Sequence, residues 1–541
     1  MPSFTRMASF SPMKTEAVKQ TNDHSQSNHQ EFITTTAVVG VNLLRTGSVT
    51  TVNPLTVTEA FRSTLVNTSH GILLGLFILA TTAHGAATRY VSPTGNDSTG
   101  NGSINAPYKT LQKAHDMTGA GDTIYMRGGT YFPAAQTTIT RSGSNGNYIK
   151  VFAYPGETPV IDAINHPAGD YIIRMNSASW WHIKGLELKN GAKNGLYLAG
   201  SSSNNIIENN NIHHIGRLAP GGCGCGTAIA IYGTGGNNLV LNNDVHDNDD
   251  ALSSDGGGAN GINLVTTGTG NVIRGNRIWR NSDDGIDMWD AAPALIENNW
   301  SWENGYTLVG SNLVVRGNGV GYKLGGSATN DGGHTVRNNL AWLNRVNGFH
   351  ENSGDLPITL YNNTAWNNGA NNFTFFHSGN TFRNNINFGS RGNVAGSDTY
   401  NSWTLPVTVN SADFASLDYT VVTAPRNPDG SLPTINFLRL VAASDLINKG
   451  TNVGIPFNGS APDLGAYEYY VPEVPTLSWM RSGNNLVISW TNAALGYTLE
   501  STLAFSPVSW LPVGTAPVMV SGQITVTVEM SNGAAFYRLK K

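Results

Sequence analysis

The middle of the chain repeats a short pattern, and this repeat constrains the fold more than any other feature of the sequence. Each copy has an apolar pair, one spacer residue, and then Asn-Asn or Gly-Asn. The second asparagines of the copies are Asn210, Asn243, Asn276, Asn299, Asn339, Asn363 and Asn385. They are 33, 33, 23, 40, 24 and 22 residues apart. The shortest intervals predict a solenoid with a basic coil of about 22–24 residues, into which loops are inserted.

The residue types in the repeat indicate which solenoid forms. Asn, Gly, Thr and β-branched residues dominate, and these disfavour helices. We therefore predict an all-β fold, a right-handed parallel β-helix with three short strands and three turns in each coil. Stacked side-chain amides can hydrogen-bond along such an axis. We interpret the repeated asparagines as structural and not as a ligand site.

A second pattern runs through the same coils: a small residue, an apolar residue and a variable residue. Its variable positions include Asn263, Asp287, Lys323 and His350. Because side chains alternate between the two faces of a strand, the apolar members fill the interior and the variable members face solvent. With strands about 4.8 Å apart, we expect these four side chains to lie along one outer groove.

The segments before and after the repeated region differ from it in composition and pattern. Residues 1–60 are polar and aperiodic, so we expect a disordered extension or a wrongly assigned start. Residues 61–87 contain the apolar run 71–80 followed by small residues, which is typical of a signal peptide and too short for a stable membrane span. Residues 88–470 are predicted to form the β-helix catalytic domain. Alternating strands in 474–541 predict a small β-sandwich of immunoglobulin or fibronectin III type.

The two ends of the solenoid need covers. Residues 107–117 predict a short helix with Pro107 in its first turn, capping the open N-terminal end. Residues 391–470 are expected to finish the solenoid and pack along it. In the C-terminal module, four aromatic residues are expected to pack in its core: Trp479, Trp490, Trp510 and Tyr537.

The net charge of −4 leaves no basic footprint for nucleic acid. A polyanionic partner would therefore need a local site, such as one with a bound metal. The two cysteines, Cys223 and Cys225, can form neither a disulfide framework nor a complete metal site.

Three carboxylates, Asp283, Asp284 and Asp287, lie within five residues. They repel one another unless a cation neutralises them, and hard oxygen ligands suit calcium. The alternative is an acidic turn on a solvated surface. Lys323 follows on the predicted column between glycines, which leave room for close approach to the backbone. A neighbouring bound cation would lower the pKa of this lysine, so that it could act as a general base.

Several segments resemble the polysaccharide lyase family 9 pectate lyases. The more specific ones are Asn281-Ser282-Asp283-Asp284-Gly285-Ile286-Asp287 and Gly321-Tyr322-Lys323-Leu324-Gly325-Gly326. The resemblance covers roughly residues 89–470. It implies that Asp283, Asp284 and Asp287 bind calcium and that Lys323 is the Brønsted base. It further implies a secreted (extracellular or periplasmic) enzyme, predicted to be monomeric, that cleaves pectate or another uronic-acid polysaccharide by β-elimination.

The chain departs from the family at one calcium ligand. Where the family has an aspartate one coil earlier, this sequence has Asn260. Asn260 can offer an amide oxygen, and Asp255 in the preceding glycine-rich loop is a possible substitute for the missing charge. Asn263 and His350, on the predicted outer column, are expected to contact substrate.

Two other functions fit parts of the sequence. A β-helix glycoside hydrolase could use Asp283 and Asp284 as its acid and base, although the Gly-His-Gly and Arg-Ile-Lys motifs expected of polygalacturonases are absent. A non-catalytic β-helix protein could bind glycan at a surface. The reaction products separate all three possibilities.

Overall fold

The structure is a computed structural model that describes residues 85–219, 226–326, 331–469, 475–491, 497–504, 506–520, 523–530 and 534–540. The predicted extension 1–60, nearly all of the predicted signal peptide 61–87, and both cysteines, Cys223 and Cys225, lie outside these residues.

The elements of the solenoid are, in chain order, β1 (Thr88–Val91), α1 (Leu111–Asp116), β2 (Thr123–Met126), β3 (Gly129–Tyr131), β4 (Thr137–Ile139), β5 (Ile149–Ala153), β6 (Pro159–Asp162), β7 (Ile173–Asn176), β8 (Trp181–Lys184), β9 (Glu187–Lys189), β10 (Leu196–Gly200), β11 (Ile206–Glu208), β12 (Asn211–His213), β13 (Ile229–Gly233), β14 (Leu239–Leu241), β15 (Asp244–His246), β16 (Ile262–Thr266), β17 (Val272–Arg274), β18 (Arg277–Trp279), β19 (Ile286–Asp287), β20 (Leu295–Glu297), β21 (Trp300–Trp302), β22 (Tyr306–Val309), β23 (Asn312–Val315), β24 (Tyr322–Lys323), β25 (Thr335–Arg337), β26 (Leu340–Trp342), β27 (Asn347–His350), β28 (Thr359–Tyr361), β29 (Thr364–Trp366), β30 (Asn371–Thr374), β31 (Thr381–Arg383), β32 (Ile386–Phe388) and β33 (Ser397–Asp398). Two 3-10 helices follow, Ser411–Asp413 and Tyr419–Thr423. The C-terminal strands are β34 (Ser478–Ser482), β35 (Asn485–Thr491), β36 (Thr498–Thr502), β37 (Leu511–Pro512), β38 (Val518–Val520), β39 (Gln523–Glu529) and β40 (Phe536–Lys540).

Three parallel sheets form the walls of a β-helix, as the repeat predicts. Sheet 1 has the order β1-β2-β5-β8-β11-β14-β17-β20-β25-β28-β31-β33. Sheet 2 has the order β4-β7-β10-β13-β16-β19-β24-β27-β30, and sheet 3 has the order β3-β6-β9-β12-β15-β18-β21-β26-β29-β32. Each coil passes through sheet 1, then sheet 3, then sheet 2. The apolar positions of the three walls meet in one buried core that runs through the solenoid.

The repeated asparagine pair forms the turn from sheet 1 to sheet 3. The first residue takes a left-handed conformation, with φ of 51° at Asn209 and 71° at Gly275, which Asn and Gly tolerate better than other residues. The second residue is buried, and its amide donates to the next coil, as from Asn243 Nδ2 to Asn276 Oδ1 at 3.0 Å. This confirms that the repeated asparagines are structural.

The N-terminal helix is shorter than predicted. It starts at Leu111, after the N-cap Thr110, because Tyr108 is hydrogen-bonded to β1 in an extended conformation. Pro107 therefore lies outside it. The predicted capping role is confirmed, since α1 packs against β1 and β4, the first strands of sheets 1 and 2, and Leu111 joins the solenoid core.

Residues after 402 pack along sheet 3, as expected. Trp279, Trp302 and Trp342 stack with ring centroids 4.8 Å apart. Phe414 and Phe437 from the following segment bury this tryptophan stack in a second core. One wall of the solenoid is thus covered by the chain itself.

The C-terminal strands form two antiparallel sheets, β34-β35-β39-β38 and β37-β36-β40. The expectation that four aromatic residues pack in its core is right for Trp490, which is 2% exposed, and wrong for Trp479, which is 71% exposed. Trp479 lies on β34, at one edge of its sheet, which explains its exposure. In the described part of the chain, no helix has the length and apolar character needed to cross a membrane.

Candidate active site

The second sequence pattern forms a column on sheet 2. Asn263 pairs with Asp287, Asp287 with Lys323, and Lys323 with His350, on the successive strands β16, β19, β24 and β27. The predicted register of the four variable positions is therefore confirmed. Parallel pairing without a slip places their side chains on the same face of the sheet.

The expected solvent exposure of this column is wrong. Asn263, Asp287 and Lys323 are only 2%, 5% and 8% exposed, and His350 is half-buried. The ring of Trp289 lies over the column, with Lys323 Nζ 5.1 Å from the ring centroid. The strand pattern predicts which way a side chain points, but not what the adjoining turns place on top of it.

The carboxylates of Asp283 and Asp284 lie in the turn from sheet 3 to sheet 2. A second asparagine ladder, five residues after the first in five of the seven coils, supports this turn. Asn281 Nδ2 donates to Asn304 Oδ1, and Asn304 Nδ2 donates to Asn344 Oδ1, both at 2.9 Å. The ladder fixes the backbone immediately before the two aspartates.

A loop from the inserted hairpin β22–β23 holds the same turn from the other side. The amide of Asn318 donates to Asp283 Oδ1 at 2.9 Å, and the amide of Val320 donates to Asp284 Oδ1 at 2.8 Å. Hydrogen bonds to a carboxylate favour its charged form and fix its orientation. Both aspartates are thereby positioned by backbone donors from residues 316–320.

Lys323 connects the turn with the column. Its Nζ lies 3.1 Å from Asp284 Oδ2 and 3.4 Å from Asp287 Oδ2. Asp284 Oδ2 accepts no hydrogen bond from the described residues. Its polar contact among them is the ion pair with Lys323. Two buried carboxylates thus contact one ammonium group, and the third, that of Asp283, acts on it through its charge.

Asn260 lies within this cluster. Its Oδ1 accepts the amide N–H of Asp284 at 3.0 Å, and its Nδ2 donates to Asp287 Oδ2 at 3.3 Å. Asn260 therefore bridges two of the three aspartates. An aspartate could accept the same amide N–H but could not donate to Asp287.

The buried charges perturb one another. Burial, together with the charge of Asp284, raises the pKa of Asp283 to about 8. Burial raises the pKa of Asp287 to about 7, against the opposing effect of Lys323. Burial disfavours the charge of Lys323, but the nearby carboxylates outweigh this effect and raise the pKa of its ammonium group above the ordinary value. Without a further cation the lysine is therefore held in its charged form.

Two predicted site residues do not present their side chains at this cluster. Asp255 is exposed, and its Oδ1 accepts hydrogen bonds within its own loop, from Ser253 Oγ at 2.5 Å and Gly257 N at 3.1 Å. Asn263 is buried; it donates to the carbonyl of Asp287 at 3.0 Å and accepts from the hydroxyl of Tyr232. Asn263 is therefore better placed to hold Asp287 in position than to contact substrate.

His350 remains accessible at the next coil. It is half-buried, and burial lowers the pKa of its imidazole. Its ring lies edge-on to that of Phe376, at 6.4 Å between centroids.

The glycines around Lys323 serve the fold and not an incoming ligand. A Cβ at Gly321 would lie 2.6 Å from Asn344 Nδ2, and one at Gly285 would lie 2.3 Å from Ser301 Oγ. A Cβ at Gly326 would lie 2.4 Å from the ring of Trp289. The glycines do allow close approach to the backbone, as predicted, and the groups that approach are neighbouring coils and Trp289.

The cluster suits a hard divalent cation in its charge and donor type. Three carboxylates against one ammonium leave two uncompensated negative charges if all are ionised, and calcium prefers such oxygen donors. Among the residues that the structure describes, no three His, Cys, Asp or Glu side chains are grouped to hold a metal ion by themselves. An amide or carbonyl oxygen, such as Asn260 Oδ1, would have to complete the set.

Comparison with known proteins agrees with this geometry. Residues 89–388 match the family model described as "Pel9A-like, right handed beta helix region". The chain belongs to this Pel9A-like family. The match covers more than half of the chain and includes the column, both asparagine ladders and the acidic turn. It also confirms the predicted right hand of the β-helix.

Individual relatives of this Pel9A-like chain are pectate lyases. Pectate lyase L of Dickeya dadantii (strain 3937) is 34% identical over 397 residues, which are 70% of this chain and 90% of the relative. The crystal structure of pectate lyase Pel9A is 34% identical, with a TM-score of 0.64, and covers 72% of this chain and 97% of its own. A rhamnogalacturonan lyase structure is 26% identical, with a TM-score of 0.55, over 66% and 97%. The chain is thus a polysaccharide lyase, and the hydrolase and non-catalytic alternatives are set aside.

Sequence reasoning missed three contributors to the site: the second ladder, the loop 316–320 and Trp289. The ladder was detectable in the sequence, because its asparagines are spaced 33, 23, 40 and 24 residues apart, and four successive intervals of the first ladder are the same. These asparagines are Asn248, Asn281, Asn304, Asn344 and Asn368. The loop and Trp289 follow no repeat, and their contacts depend on how an insertion folds back.

Proposed function

We propose that this chain cleaves pectate by calcium-dependent β-elimination, with Lys323 as the base. The observation that carries the proposal is the position of Lys323 Nζ, 3.1 Å from Asp284 and 3.4 Å from Asp287 on the outer face of sheet 2. The pectate lyase relatives support the substrate class. The same cluster would serve as both metal site and catalytic site.

Asp283, Asp284 and Asp287 would hold the calcium ion, with Asn260 as an amide ligand. Bound calcium would supply positive charge that stabilises a uronate carboxylate and acidifies the proton at C5. Asp255 is left out of this set because its carboxylate is exposed and engaged in its own loop.

Lys323 can accept a proton only as a neutral amine. In the structure, the carboxylates of Asp284 and Asp287 favour its ammonium form. The proposal therefore requires that these carboxylates be compensated by another cation before Lys323 can act as base.

The neutral amine would then take the C5 proton of the uronate. The electron pair of the C5–H bond forms the C4–C5 double bond as the bond from C4 to the glycosidic oxygen breaks. The oxygen stays on C1 of the non-reducing-side fragment and is protonated there, which makes it a new reducing end. The reducing-side fragment carries the unsaturated uronate at its new non-reducing end.

We also propose the domain boundaries, the location and the oligomeric state of the protein. We place the catalytic domain at 88–470 and a separate C-terminal module at 474–541, after an extension 1–60 and a signal peptide 61–87. A secreted monomer fits an acidic polysaccharide substrate that is too large to enter a cell. His350 is proposed to contact that substrate, because it is the accessible member of the column.

A panel of uronans tests the activity. Polygalacturonate, rhamnogalacturonan and alginate are each incubated with the full chain, in calcium and in excess chelator. We expect an ultraviolet-absorbing unsaturated product from polygalacturonate in calcium, and loss of that product in chelator. New reducing ends without ultraviolet absorbance would contradict elimination, and full activity in chelator would contradict the metal role.

A further inference from the structure

A line of aromatic side chains continues from the active site along the outer face of sheet 2 towards the N-terminal end of the solenoid. Asn263, which supports Asp287, accepts a hydrogen bond from the Tyr232 hydroxyl. The ring of Tyr232 lies 5.4 Å from that of Tyr197, and Tyr197 stacks on Tyr171 at 4.5 Å with an interplanar angle of 10°. The three tyrosines are half-buried, so each leaves part of its side chain at the surface.

Two cations flank the far end of this line. Lys193 Nζ lies 5.0 Å from the centroid of the Tyr171 ring, and Arg174 Cζ lies 5.6 Å from it. Among the described residues, neither Lys193 nor Arg174 pairs with a carboxylate, and the buried Arg174 Nε has no hydrogen-bond partner. The nearby carboxylate of Asp170 accepts the amide N–H of Gln136 instead.

This combination is unusual for a purely structural contact. A covered donor without a partner is costly. Most arginines in the described part of the chain have carboxylate or carbonyl partners, as Arg277 and Arg426 have with Asp244. An arginine and a lysine beside one aromatic ring offer a carboxylate two charge-assisted contacts. Tyrosine adds a rigid amphipathic surface on which a sugar ring can lie.

The position of the cations fits an extended polymer. Arg174 occupies the same register column as Lys323, five strands away along β24, β19, β16, β13, β10 and β7. At about 4.8 Å per strand, the separation is about 24 Å. A chain of several sugar units that lies along the sheet would reach from one to the other.

We propose that Tyr171, Arg174 and Lys193 form a distal subsite that binds the carboxylate of a uronate unit several sugars from the cleaved bond. The proposal rests on the proposed function, because it places a uronic-acid chain on sheet 2. The subsite favours long substrates whose distal unit carries a free carboxylate, since a methyl ester would remove the charge that the two cations recognise.

Oligogalacturonates of defined length test this subsite. Arg174→Gln and Lys193→Gln are compared with Lys150→Gln, which removes one charge from β5 of sheet 1, a different face. We expect each subsite variant to raise KM for an octamer about tenfold, which corresponds to about 1.4 kcal/mol. KM for a trimer and kcat for both should not change, and Lys150→Gln should behave as the parent protein.

A binding measurement separates this idea from the activity. Calorimetric titration of the octamer should show weaker binding to the two subsite variants than to the parent protein. The titration is repeated with the methyl ester of the octamer, which lacks the charge that the two cations recognise. If the parent cleaves and binds the octamer and the variants match it at both lengths, the subsite is wrong while the function stands. If the parent cleaves no uronan but the variants still lose octamer binding, the function is wrong while the subsite stands. If the parent neither cleaves nor binds any oligomer, both fail.

Discussion

Asn260 is the residue that most distinguishes this cluster from the pattern of family 9. It bridges Asp284 and Asp287 with an acceptor and a donor, and it adds no charge to three buried carboxylates. Burying charge without compensation is costly. A neutral residue here therefore reduces repulsion when no metal is bound, at the expense of one negative charge in the proposed calcium site.

Substituting Asn260→Asp should separate these two effects. A fourth carboxylate within hydrogen-bond distance of Asp287 Oδ2 would add like-charge repulsion. We expect Tm to fall in chelator and calcium to bind more tightly, because the ion relieves more repulsion. Differential scanning calorimetry in chelator, with a calcium titration, measures both quantities. Asn260→Ala is the control that removes the bridge without adding charge, and tighter calcium binding in that variant as well would contradict the explanation.

At the scale of elements, the site depends on two parallel asparagine ladders with the same chemistry and different positions. Asn299 belongs to the ladder between sheets 1 and 3, and Asn304 to the ladder beside the acidic turn. Both are fully buried, accept two hydrogen bonds from the preceding coil and donate to the next. They form a matched pair for separating stability from positioning.

Replacing either asparagine by alanine should cost a similar free energy of unfolding. Loss of a buried hydrogen-bonding partner costs about 1–3 kcal/mol, so Asn299→Ala and Asn304→Ala should both shift urea unfolding. Only Asn304→Ala should also reduce kcat, because Asn281 then loses the acceptor that holds the backbone before Asp283. Equal kcat in the two folded variants would show that the ladder does not position the turn.

The elements also show how far sequence reasoning reaches. The asparagine spacing and strand alternation were sufficient for the solenoid, for the structural role of the repeated asparagines, and for the pairing of Asp287 with Lys323. They could not predict that Trp289 covers this pair, or that residues 316–320 donate to the aspartates. Those contacts come from a turn and an inserted segment. The sequence does not repeat there, so it gives no periodic signal from which the contacts could be predicted.

At the scale of the whole molecule, the three walls of the solenoid have different environments. Sheet 3 is covered by the chain that follows residue 402, in a tryptophan-rich second core. Sheet 2 carries the acidic cluster and the line of tyrosines on its outer face. A polymer lying along sheet 2 would therefore meet the proposed base and the distal cations on one continuous surface.

Lys323, which lies between Asp284 and Asp287, is proposed to be the base of an elimination reaction. The most direct test measures unsaturated product from polygalacturonate in saturating calcium, for the parent protein, Lys323→Ala and Lys323→Arg. Arginine keeps the positive charge beside Asp284 and Asp287 but resists deprotonation. Both variants should lose most turnover while Tm in calcium stays close to the parent value. Lys323→Ala should bind calcium at least as tightly as the parent, because it removes a positive charge beside Asp284 and Asp287. Turnover within about tenfold of the parent in Lys323→Ala, a barrier change of only about 1.4 kcal/mol, would contradict the assignment and make His350 the residue to test next.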